Sequence, residues 1–210
     1  MSRSLAEKVD PRQAALIVVD VLNDFCHPEG AAGLQKLDLS MVPGMVEHLN
    51  RFIGEARRVG LPIIFVRTHH SSWTDSEAWL GRARTAPREQ VPVCVEGTWG
   101  CEWYEVFPQE SDRIVTKHRF SAFSGTDLDQ VLRARGIRTL LVTGIGTSVC
   151  VESTARVGYQ LDYEIVLLED CCAAYTRDVH DITVRNIAAH FGDVVREDEV
   201  TTAWAAAAQR

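Results

Sequence analysis

No apolar run in this 210-residue chain approaches the roughly 20 residues that a membrane-spanning helix needs. The opening stretch, MSRSLAEKVDPRQ, is polar and has no signal-peptide apolar region. Six cysteines are present, at positions 26, 94, 101, 150, 171 and 172, yet none forms a C-x-x-C pair. Zinc-ribbon spacing and a dithiol redox motif are therefore absent. Cys171 and Cys172 are adjacent, and neighbouring side chains point apart along a chain. The expectation is a cytoplasmic chain whose cysteines mostly act as small apolar residues. There is no basic stripe: 22 Lys and Arg face 29 Asp and Glu, for a net charge of −7, which argues against a nucleic-acid partner. Glycine and proline, 14 and 7 residues, make up a tenth of the chain, too little for a collagenous or low-complexity segment.

What is present is ordinary globular material, 46% hydrophobic and 24% charged. Folding at this length buries roughly 70% of the unfolded chain's surface, enough for one sizeable core. One domain spanning 1–210 is expected, with no internal repeat and no linker.

Strands and helices alternate along the chain. Residues 14–20 (AALIVVD), 61–67 (LPIIFVR), 139–144 (TLLVTG) and 164–168 (EIVLL) are short apolar runs of the kind covered on both faces. Residues 113–116 and 193–196 are weaker strand candidates. Between them, Met45, Val46, Leu49, Phe52, Ile53 and Ala56 keep helical spacing from Pro43 to Arg58, and Gly60 supplies a stop. Further helices are expected from about Thr126 to Gly136, from Thr147 to about Gln160, and over 178–191 before Gly192. This order predicts an α/β fold: a three-layer α/β/α sandwich around a mostly parallel sheet of about six strands. The stretch 68–112, which holds Trp73, Trp79, Trp99 and Trp103, is too long for a passive connector. It reads as a partly helical excursion covering a site or a subunit contact.

In a parallel sheet, ligands bind beyond the carboxyl ends of the strands. Asp20 closes the first run, Lys117 follows the 113–116 strand, and Cys150 follows TLLVTG in the first turn of the next helix. With Thr147 as N-cap, Cys150 is the third helical residue, where unpaired N–H groups and the helix dipole favour a thiolate. Gly144-Ile145-Gly146 permits a tight strand-to-helix turn. Each residue also has a plain structural reading: a turn acid, a surface lysine, a buried helix cysteine. Together they form a coherent set, in which an acid takes a thiol proton and an ammonium steadies the thiolate.

These residues lie in three stretches, VVDVLNDF at 18–25, VTKHRFSAFSGTDL at 115–128 and VTGIGTSVCVESTAR at 142–156, the last followed by VLLEDCCAA at 166–174. In them the chain resembles the isochorismatase-like cysteine hydrolase superfamily over roughly residues 12–200. That group includes nicotinamidases, N-carbamoylsarcosine amidohydrolase, ureidoacrylate amidohydrolase and biuret hydrolase. The resemblance implies a catalytic triad of Asp20, Lys117 and Cys150. It implies a cis peptide at Ile145–Gly146 and an oxyanion hole made by the N–H groups of Gly146 and Cys150. It also suggests a homodimer or homotetramer. True isochorismatase lacks the cysteine at this position, so Cys150 points to amide rather than vinyl-ether hydrolysis.

Nicotinamidases resemble one another in an Asp-x-His pair that, with a further histidine, holds a metal. The matching stretch, Val66 to Trp73, has no aspartate and instead carries adjacent His69 and His70. No metal and no other cofactor is expected, and both histidines are read as shaping the loop. Phe25 matches the position of an apolar wall against a planar amide. Arg119, two residues past Lys117, is a candidate clamp for a carboxylate or second carbonyl. Asn23 and Asp24 are expected to fix the loop after Asp20. The resulting reading is a cofactor-independent amidohydrolase of a small carbamoyl or ureido substrate, acting through a thioester with release of ammonia. The alternatives are a nicotinamidase-type amidase, a binding protein on the same fold, and a thiol-redox protein, which the missing C-x-x-C disfavours.

Overall fold

The computed structural model describes residues 3–81 and 91–209. Six strands form one sheet: β1 (Ala14–Val19), β2 (Ile63–Thr68), β3 (Arg113–Lys117), β4 (Thr139–Ile145), β5 (Glu164–Ala173) and β6 (Gly192–Val195). Their order across the sheet is β3-β2-β1-β4-β5-β6, and every neighbouring pair is parallel. All six expected strands are present, including the two weak candidates. β5 runs five residues beyond the expected end at Leu168, because Cys171, Cys172 and Ala173 continue the buried strand.

β1 is fully buried, and its side chains alternate between two cores. Leu16 and Val18 face the helices Val42–Arg58 and Glu197–Ala208, while Ala15, Ile17 and Val19 face the helices Leu128–Ala134, Glu152–Gln160 and Arg177–His190. The period of two that sends successive Cβ atoms to opposite faces produces this division. Cys171 and Cys172 obey the same rule, one joining each core. The helix Glu197–Ala208 was not apparent in the sequence pattern; its Val200 and Trp204 close the first core. Among the described residues, no helix is long and apolar enough to cross a membrane.

The chain moves outward from β1 to β3, then returns to the middle of the sheet as β4. The sheet order thus reverses between β1 and β4, and a crevice opens beyond the carboxyl ends of those two strands. Gly144 allows their close approach: at φ 117°, a Cβ there would lie 2.0 Å from the Val19 carbonyl oxygen. The pairing of β4 with β5 shifts register between Val142 and Gly144.

Candidate active site

Asp20 follows β1 and occupies the left-handed region, φ 58°. A non-glycine residue there costs about 1–3 kcal/mol and persists where its surroundings hold it. Here the Asp20 N–H donates to the Val66 carbonyl at 2.8 Å, and the Leu22 N–H donates to the Asp20 carbonyl at 2.7 Å. The loop beyond is fixed as expected. Asn23 Nδ2 donates to the Trp99 carbonyl, and Asp24 accepts from the N–H groups of Ala31 and Cys94.

Lys117 is the last residue of β3 rather than the one after it. It is 0% exposed and Asp20 is 1% exposed. Nζ lies 2.6 Å from Asp20 Oδ2 and 3.6 Å from Cys150 Sγ. It also donates to Thr68 Oγ1 at 2.5 Å, and Thr68 donates to Asp20 Oδ1 at 2.9 Å. The structure therefore brings the three expected residues together and adds a fourth, Thr68. Its place could be inferred only from the β2–β3 register, which sets Thr68 beside Lys117.

The electrostatics follow from burial. Burial pushes the Cys150 thiol well above its ordinary pKa, and the Asp20 charge adds to this, while Lys117 pulls it down. Burial opposes a charged lysine, but Asp20 and Cys150 outweigh it and hold the Lys117 pKa above its usual value. Both shifts favour an ammonium on Lys117 and a protonated thiol on Cys150.

The turn after β4 differs from expectation. Gly146, not Thr147, is the N-cap, in left-handed conformation (φ 78°, ψ 53°). Thr147 instead opens one π-helical turn, Thr147–Val151, and its hydroxyl lies 3.0 Å from Nδ1 of the buried His180. Among the described residues every peptide bond is trans, Ile145–Gly146 included. The Gly146 N–H donates to the Ala173 carbonyl at 2.8 Å and so is committed to the extended end of β5. The expected cis bond and the expected Gly146 oxyanion donor are both corrected by this geometry. Cys150 remains in the first turn of the helix, where N-terminal N–H groups gather.

Above the triad lies a cavity of about 450 Å³. Phe25 and Arg119, both expected to meet substrate, line it, as do Gln35, Tyr175 and Val93. Arg119 Nη1 donates to the carbonyls of Thr74 and His118, and its guanidinium lies 5.0 Å from the centre of the Trp79 ring. Trp79 also stacks on His70 and packs against Phe120. The two histidines part ways, as adjacent residues must. His70 lines the cavity and pairs with Asp75 at 2.7 Å, whereas His69 has a buried Nε2 with no hydrogen-bond partner among the described residues. Of the four tryptophans in the 68–112 excursion, Trp79 lines the cavity, and Trp73 is 96% exposed. Among the described residues, one group has metal-like spacing: His48, Asp170 and Glu197, away from this cavity. Arg51 occupies it, paired with Glu197 and 2.7 Å from His48 Nδ1.

Known proteins match this arrangement. The model of the isochorismatase domain matches residues 14–199. Ureidoacrylate amidohydrolase RutB of Acinetobacter baylyi is 34% identical over 203 residues, which cover 89% of this chain and 82% of that protein. A cysteine hydrolase from Pseudomonas syringae pv. phaseolicola superposes with a TM-score of 0.81 at 28% identity, covering 99% of this chain and all of that one. N-carbamoylsarcosine amidase from Thermoplasma acidophilum gives a TM-score of 0.70 at 30% identity, covering 89% and 97%. A domain match across most of the chain, on the same sheet, settles the assignment: this chain is a hydrolase of the isochorismatase family.

Proposed function

We propose that this amide-bond hydrolase works through a thioester on Cys150 and takes a small carbamoyl or ureido substrate. The observation that carries the reading is the single lysine ammonium, 2.6 Å from the Asp20 carboxylate and 3.6 Å from the Cys150 sulfur, on the floor of the cavity. Because burial keeps the thiol neutral at rest, the nucleophile forms as the substrate arrives. The S–H proton passes to Asp20 while sulfur bonds to the carbonyl carbon. Lys117 balances the negative charge during that step. Backbone N–H groups of the first helical turn, that of Cys150 among them, receive the developing oxyanion. The C–N bond then breaks, Asp20 returns the proton to the leaving nitrogen, and ammonia departs. A water attacks the thioester with Asp20 as base, releasing the acid and restoring the thiol. For a urea the intermediate is an S-carbamoyl cysteine and the product a carbamate.

Substrate size and charge follow from the walls. Phe25 offers a flat apolar face to a planar amide. Of the described lining residues, Lys117 and Arg119 are the lysine and arginine present, and Lys117 is committed to the triad. Arg119 is thus the clamp for a substrate carboxylate. The similarity to ureidoacrylate amidohydrolase supports a ureido acid. The same reading makes the enzyme cytoplasmic and homo-oligomeric, independent of a cofactor, without nucleic-acid or membrane partners.

Ammonia release from ureidoacrylate, N-carbamoylsarcosine, biuret and nicotinamide tests the reading. We expect the first two to be turned over and Cys150→Ser to lose at least about a thousandfold in kcat. Wild-type ammonia release by that variant sinks the cysteine mechanism.

A further inference from the structure

Thr68 stands between the two charges of the site and lines the cavity beside them. Its side chain is buried at the end of β2, in register with Lys117 on β3. A threonine hydroxyl has one proton to give and two lone pairs to offer. The Lys117 ammonium can only donate, so Thr68 Oγ1 must accept from Nζ at 2.5 Å. Its single proton is then left for Asp20 Oδ1, 2.9 Å away.

The two oxygens of Asp20 are therefore unlike. Oδ1 receives a directed hydrogen bond from Thr68. Oδ2 is buried and lies against the Lys117 ammonium, 2.6 Å from Nζ. The Thr68 hydroxyl hydrogen stays on Oδ1, because the ammonium prevents it from turning away. Resting on the hydrolase mechanism above, we propose that Thr68 is a positioning residue that fixes the Asp20 carboxylate against the Lys117 ammonium and favours its charged form.

The other titratable groups facing this carboxylate do not compete. They are Cys150 from the turn after β4, Cys26 from the segment after β1, Cys94 from the strip beside His70, and Tyr175 after β5. Burial holds Cys150, Cys26 and Tyr175 protonated. Contact with Cys101 and burial do the same for Cys94. Thr68 is the neutral group that touches both Asp20 and Lys117.

Thr68→Val keeps the shape and removes the hydroxyl. The carboxylate then loses a donor to its charged form, so the acid limb of the kcat/KM profile should move to higher pH. We expect kcat to fall about ten- to hundredfold, as for a lost hydrogen bond to a charged group, with KM within about twofold. Thr68→Ser keeps the hydroxyl and should restore the wild-type pH profile and kcat within about threefold. Wild-type kcat and pH profile in Thr68→Val overturn the proposal, and so does a Thr68→Ser enzyme as impaired as Thr68→Val. If Thr68→Val does not fold, Thr68→Ala replaces it. Failure of both to fold counts against positioning and for a purely structural role. Loss of activity in Cys150→Ser alongside an unaffected Thr68→Val rejects this inference alone. Full activity in Cys150→Ser rejects the mechanism on which it rests.

Discussion

The floor and the wall of the cavity are built on different principles. The floor, Asp20, Thr68, Lys117 and Cys150, sits on or just beyond the ends of four adjacent parallel strands, β3, β2, β1 and β4. Its members touch one another through an ion pair and short polar contacts, with Asp20, Thr68 and Lys117 buried and Cys150 half-buried at the cavity. The wall, formed by Phe25, His70, Trp79, Arg119, Val91, Pro92, Val93 and Val95, comes from loops and from the four-residue helices Asn23–Cys26 and Glu77–Leu80. Ring contacts and bonds to backbone carbonyls hold it. A one-residue slip in a strand would send a floor residue to the opposite face of the sheet. A wall residue can shift or be exchanged without disturbing the sheet. On the proposed mechanism, chemistry belongs to the rigid part and choice of substrate to the adaptable part.

Asp20→Asn should break the floor hardest. It removes the base, which we expect to cost at least about a thousandfold in kcat. It also leaves the Lys117 ammonium buried without its carboxylate, a loss of about 3–5 kcal/mol. For a chain of this size that lowers Tm on the order of 10 °C. Ammonia release and calorimetry on the same preparation measure both effects. Unchanged values for both would reduce Asp20 to a strand-end acid.

Lys117→Met tests the charge that pulls the other way. Burial and Asp20 raise the thiol's pKa, and Lys117 lowers it. Without the lysine, Cys150 should react with iodoacetamide only at higher pH than in the wild type. Peptide mapping of the labelled cysteine across pH reads this directly, and an unmoved profile leaves a cysteine–aspartate pair. The wall should respond more gently. Arg119→Ala should raise KM about tenfold for ureido substrates bearing a carboxylate, equivalent to about 1.4 kcal/mol. It should leave KM for biuret, and kcat for both, within about twofold. An equal rise for biuret would mean that Arg119 supports the wall rather than reading the carboxylate.

What the amino-acid order determines by itself is the part governed by local rules. Unbroken apolar runs mark β1, β2, β4 and β5, because strands covered on both faces need apolar residues at every position. Polar residues that end such runs, Asp20 above all, mark the chemical edge of the sheet. Cys150, next to a glycine turn and a helix start, is legible for the same reason. Tertiary structure alone decided the rest. Thr68 is an ordinary threonine until the β2–β3 register sets it beside Lys117. The Gly146 N–H has no assigned direction until β5 extends to Ala173 and captures it. The stacking of His70, Trp79 and Arg119 joins residues up to 49 positions apart in the chain, through contacts that follow no period. Sequence periodicity reports which face a side chain takes within its own element. Which groups from other elements meet it there depends on how the strands align, and that alignment is a property of the whole sheet.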